Sequence, residues 1–138
     1  MTITDQLIDK LRTVPQAVMP TLHWLLEGMY CRQILIPEGT VFVGRVHKKP
    51  HYFMVLKGSA CVSTEDGLKE IRAGNVLMAP PGMKRIGITH EDTIFVTVHR
   101  TEATTLEEIA DDLVEFDLRA RYGIGNEILP DLLEEKPS

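Results

Sequence analysis

Between residues 30 and 100 the chain repeats one pattern: four to eight residues rich in β-branched and aromatic side chains, then a Gly, Pro or Asp turn. Cys31–Ile36 is stopped by Pro37-Glu38-Gly39, and Thr40–His47 comes next. Pro50 precedes His51–Leu56, and Lys57-Gly58 separates that run from Ser59–Thr64. Asp66-Gly67 tolerates positive φ and predicts a hairpin into Leu68–Arg72. Gly74–Met78, Lys84–Thr89 and Thr93–His99 complete eight predicted strands. Short strands with this punctuation build a sandwich or barrel, because parallel α/β sheets need a helix between strands. The expected class is all-β, a two-sheet jelly-roll barrel over about 30–100 with short helices at both ends, and 138 residues suit one domain, 1–138.

Helix signals flank this block. At the N-terminus, over 4–27, Thr4 is a candidate cap for a helix running to about Arg12, with Leu7, Ile8 and Leu11 as its apolar stripe. Pro15 and Pro20 interrupt the next stretch, and Leu22–Leu26 leads to a turn at Gly28. At the C-terminus, over 105–120, Thr105-Leu106-Glu107-Glu108 reads as a capping box, and Leu106, Ile109, Ala110, Leu113 and Val114 share a helical face.

Charge and composition exclude several function classes. No apolar run approaches the ~20 residues of a membrane span, and Met1–Asp5 lacks the basic start of a signal peptide, so a cytoplasmic location is expected. Residues 1–101 carry 12 Lys and Arg against 9 Asp and Glu, whereas 102–138 carry 3 against 11. General nucleic-acid binding needs a basic face, and this acidic end argues against it. Cys31 and Cys61 have no metal or disulfide spacing and are expected to be reduced core residues. Lys48, Lys49 and Lys84 are expected to be surface charges, His23 and His90 structural residues.

Two spacings resemble those of the cupin superfamily, over Gly39 to His99. The family's second motif is Gly, five residues, Pro-x-Gly, two residues, His. Gly74-Asn75-Val76-Leu77-Met78-Ala79-Pro80-Pro81-Gly82 fits it without a gap, with Arg85 where the His belongs. The first motif is His-x-His, three residues, Glu, six residues, Gly. Counting back from Gly58, His51 takes the Glu position, His47 the second His, and Arg45 the first. The resemblance implies a double-stranded β-helix. Three of the four usual ligand identities differ, so it implies a metal less firmly. The stretches Gly44–His51, Gly82-Met83-Lys84-Arg85 and Thr97-Val98-His99 also resemble a group of small cupin-like proteins, some carried by phages, for which the resemblance implies no activity.

The residue chemistry points to the same place. His47 and His51 straddle a corner, and alternation puts Phe95, Thr97 and His99 on one strand face, so His99 can join them. Three imidazoles suit a divalent Zn, Fe, Ni or Mn ion with open positions for chemistry. Arg45 and Arg85, if turned inward, supply planar forks for a carboxylate or phosphate. The expected function is therefore a His-lined pocket binding a divalent metal and acting on a small anionic molecule. The alternatives are a metal-free binding pocket and a structural or assembly role. Tyr52, Met54 and Leu56 form an outward strand face that is apolar enough to predict a homodimer.

Overall fold

The computed structural model describes residues 3–11 and 16–117. Among these, eleven elements run in the order α1 (Ile3–Leu11), β1 (Thr21–Leu26), β2 (Met29–Ile36), β3 (Val41–Val43), β4 (His51–Lys57), β5 (Ser59–Thr64), β6 (Gly67–Arg72), β7 (Val76–Ala79), β8 (Ile86–Thr89), β9 (Thr93–Arg100) and α2 (Leu106–Leu113). The strands form two antiparallel sheets, ordered β1-β2-β9-β4-β7 and β3-β8-β5-β6, which face each other as a jelly-roll barrel. No helix interrupts the strands, and all eight predicted strands are present with ends shifted by a few residues. Among the described residues no helix is long and apolar enough to cross a membrane.

The N-terminal stretch is less helical than expected. Helix α1 begins at Ile3, so Thr4 lies inside it rather than ahead of it, and the predicted end at Arg12 lies outside the described residues. Leu22–Leu26 belongs to a ninth strand, β1, joined to β2 by a hairpin at Gly28, whose φ of 80° is a left-handed value that suits glycine. The reason is tertiary: β1 completes the hydrogen bonds of an otherwise open edge of β2. At the C-terminus Thr105 caps α2 by accepting from Glu108 N–H, while Glu108 reaches back to Thr104 N–H rather than to the cap residue. Helix α2 ends at Leu113, and predicted helical positions 118–120 lie outside the described residues.

Strand parity sorts the chain into an inner and an outer face. Registers place Thr21, Ile34, Phe95 and Val55 in one inner row of the five-stranded sheet. His23, Arg32, Thr97, Phe53 and Leu77 form the next. The lower rows and the facing sheet make the core: Met19, Ile36, Phe53, Val55, Ala60, Val62, Ile71 and Phe95. Cys31 and Cys61 carry the opposite parity to buried Tyr30 and Ala60, so both are free, half-buried outward residues rather than core residues. Two glycines are demanded by packing. A Cβ on Gly58 would approach Asp92 O to 2.5 Å, and one on Gly87 would run into the Phe42 ring.

Candidate metal centre

Along β9 the inward residues run Thr93, Phe95, Thr97, His99, and along β4 they run Val55, Phe53, His51. Both strands thus change from apolar to imidazole at the same end of the barrel. His47, on the loop before β4, completes the group. Ring centroids are 4.2 Å apart for His47 and His51, 4.5 Å for His51 and His99, and 5.2 Å for His47 and His99. One ligand atom from each lies within 4.8 Å of the others, so the three residues can hold a metal ion. The sequence analysis named all three, and the fold brings them together.

The surroundings favour neutral imidazoles. Burial, then the neighbouring His51 ring and the charges of Arg32 and Arg45, push His47 down to about 3. Burial, then His51, His47 and Arg32, push His99 down to about 2. His51 is lowered by burial and by the Arg85 guanidinium. Neutral rings keep a lone pair, which a metal needs and a protonated ring lacks. Hydrogen bonds orient them. His47 Nδ1 lies 3.1 Å from Arg45 O and His51 Nδ1 3.4 Å from Lys49 O; a carbonyl only accepts, so each Nδ1 donates and each Nε2 keeps its pair. His99 Nε2 lies 2.8 Å from Thr97 Oγ1, which leaves Nδ1 as its second position. Tyr30 stacks on the far side of His99 at 5.6 Å, and its hydroxyl meets His23 Nδ1. Burial raises the Tyr30 hydroxyl to about 12, so it stays protonated at neutral pH.

The arginines divide. Arg85 lies within the barrel, its Cζ 5.0 Å from the Phe53 ring centroid and Nη1 donating to Ser63 O. Arg45 turns toward the chain after α2, where Nη2 donates to Glu115 O at 2.7 Å; its Nε is buried with no partner among the described residues. Sequence reasoning missed Arg32, which shares an inner row with Thr97 and Phe53. The signal was present: Tyr30, Arg32, Ile34 and Ile36 alternate on β2, and a charge on the inner parity of a strand marks a polar pocket.

Reasoning from sequence also missed a strap. Residues 113–115 run beside the loop carrying His47, with Lys48 N–H bonded to Leu113 O at 2.8 Å and Glu115 N–H to Val46 O at 2.9 Å. Lys48 Nζ donates to Asp111 O, Lys49 pairs with Asp112 at 2.8 Å, and Lys84 pairs with Asp117 at 2.8 Å. These lysines, expected as plain surface charges, fasten the acidic C-terminal segment to the site's rim. Ile109 and Leu113 of α2 pack on Tyr30 at the same end. His90, expected as a structural residue, is solvent-exposed and lies 2.7 Å from Glu70 Oε2.

Solved structures align with this arrangement of strands, several of them described as cupins. The cupin domain of an XRE-family transcriptional regulator from Enterobacter cloacae aligns with a TM-score of 0.53 at 8% identity, over 60% of this chain and 96% of that one. This is a cupin fold. A cupin superfamily protein from Desulfitobacterium hafniense gives a TM-score of 0.53 at 11% identity, over 66% of this chain and 84% of that one. A salicylate 1,2-dioxygenase from Pseudaminobacter salicylatoxidans gives 0.58 at 13% identity, over 80% of this chain but only 34% of the dioxygenase. No protein-family model and no curated protein sequence matches the chain. At these identities the likeness carries the fold, and function has to be argued from the site.

Proposed function

We propose that the barrel mouth binds one divalent transition metal, Zn, Fe, Ni or Mn, through His47, His51 and His99, and acts there on a small anionic molecule. The observation that carries this reading is three neutral imidazoles whose ligand atoms lie within 4.8 Å of one another. Two carry backbone carbonyls on Nδ1, the outer hydrogen bonds that fix a metal-ligating tautomer. Such an ion supplies Lewis acidity, or activation of water or dioxygen.

The charge balance specifies the second ligand. No carboxylate belongs to the donor group among the described residues, so the ion's charge is not offset by its own ligands. Arg32, Arg45 and Arg85 add positive charge around the rings. An anion resolves both imbalances. In this reading Arg85 holds it from the barrel side, its fork suited to carboxylate or phosphate, and Arg45, beside His47, adds positive charge from the rim. A structure of the dioxygenase that shares this fold is described with adducts of gentisate, a small carboxylate. Tyr30 stays protonated against His99, orienting the ring without exchanging a proton at neutral pH.

Metal analysis of tag-free protein tests the reading. One equivalent of metal is expected, recovered by reconstitution with Zn²⁺ or Fe²⁺ after chelation, and lost in a variant with all three His changed to Ala. Cobalt substitution should give visible absorption bands that the triple variant lacks. A folded wild-type chain that takes up none of the four metals overturns it. Persistent binding of a carboxylate to such a metal-free chain would select the rival reading, a metal-free anion pocket, which draws on the Arg85 charge beside His51.

A further inference from the structure

The parity that turns the His rings inward turns an apolar surface outward. Trp24, Cys31, Val98, Tyr52 and Met78 are register partners, one from each strand, so they form a single row across the outer face of the five-stranded sheet. Leu22, Gln33, Val96, Met54 and Val76 form the adjacent row. Neither row contains a charge. Trp24 is 48% exposed, Tyr52 57%, Val76 60% and Met78 67%. Solvent-facing sheet surfaces ordinarily alternate to polar residues, and an exposed apolar patch this continuous marks an interface. Helix α2 does not cover it, since Ile109 and Leu113 are committed to Tyr30 at the barrel mouth.

We propose that this outer sheet face is a two-fold interface with a second copy of the chain. Size and charge argue for that occupant. Five strands about 4.8 Å apart and about six residues long at 3.3 Å each project to roughly 500 Å². Side-chain relief exposes more than the projection, which brings the face to the scale of the ~800 Å² that a standard interface takes from each partner. A face meeting its own copy must carry no like charges at its centre, and the two rows satisfy that condition. Two such sheets stack face to face as the layers of a sandwich do. Trp24 on the edge strand β1 and Tyr52 on β4 then become aromatic anchors either side of Val96 and Val98, the residue types that dominate interface energetics.

Light scattering on the full chain at micromolar concentration should give twice the 15.5 kDa chain mass. Tyr52→Glu with Met78→Glu should halve the mass while leaving the far-ultraviolet circular dichroism unchanged. A wild-type mass of one chain overturns the proposal, and so does a folded double variant that remains dimeric. Trp24 is the chain's only tryptophan and needs no substitution. If the double variant does not fold, wild-type emission decides: a maximum that shifts to the red as dilution halves the mass supports this face, and one that stays fixed through dissociation overturns it.

Discussion

The two ends of one barrel interior are built on the same strands yet filled in opposite ways. At the closed end Phe95 stacks on Phe53 at 4.8 Å and tilts against Phe42 at 5.5 Å, among Val55, Val62 and Ile71. At the mouth the same strands supply His51 and His99, ringed by His47, Tyr30 and Arg85. The closed end removes apolar area from water and needs nothing further. The mouth buries polar rings, which is tolerable only because each has a hydrogen bond and stays neutral. The closed end carries stability, and the mouth accepts a local cost in return for a set of free lone pairs. That division can be broken at either end.

The largest effect belongs to the closed end. Phe95→Ala should lower unfolding free energy by about 3–5 kcal/mol, measured by urea denaturation. A loss under about 1 kcal/mol would mean that this layer is not the main support. At the mouth, zinc at 100 times its dissociation constant should stabilise the wild type by about 2.7 kcal/mol. His99→Phe should keep the apo fold and lose that stabilisation; an undiminished zinc effect would remove His99 from the site.

Between pH 7 and 5, above the carboxylate range, acid should act on the mouth. His47 and His99 have folded values of about 3 and about 2, both below the ordinary 6.5, with burial as the leading cause. The unfolded chain therefore binds protons that the folded chain refuses. The stability from these neutral rings is complete above about pH 6.5 and declines below it, by about 1.4 kcal/mol per pH unit for each His. Denaturant midpoints of the apo protein between pH 7 and 5 measure this, and His99→Phe should flatten the slope. An equal slope in the variant would place the acid sensitivity elsewhere. The smallest effect concerns the rim: Asp112→Ala removes the partner of half-exposed Lys49 and of the buried Thr101 hydroxyl, and should weaken zinc by at most about tenfold and lower stability by about 1 kcal/mol. Isothermal titration of wild type and variant tests it, and a complete loss of zinc binding would show that the strap does more than steady the loop.

Much of this contrast was legible in the sequence, and the rest was hidden for identifiable reasons. Turn residues fixed eight strands, and period-two alternation placed His99 beside Phe95 and Thr97. Strand β1 escaped because Leu22–Leu26 shows no clean alternation: of its residues only His23 is half-buried and the rest are exposed. The cysteines were misplaced because small apolar residues fit either face, and only parity with buried Tyr30 for Cys31 and with buried Ala60 and Val62 for Cys61 decides. The strap was missed because its backbone bonds between residues 46–48 and 113–115 leave no mark on side-chain identity, and the charge asymmetry between Lys48, Lys49 and Lys84 and the acidic 102–138 does not say which residues pair. Arg85 was expected in the pocket and lies in the barrel, but its seat over Phe53 depends on the opposite sheet.

The strap has a consequence in time. Translation proceeds from the N-terminus, and α2 with residues 114–117 is the last of the described segments to leave the ribosome. Until it arrives, every strand of the barrel can already be paired, while the His47 loop lacks the partners of Val46 O and Lys48 N–H. The first of the three imidazoles in sequence is thus the last whose loop gains its backbone partners, after His51 and His99 have been set on β4 and β9. An assembled set of three rings then reports that residues 113–115 have docked as well as that the strands have paired.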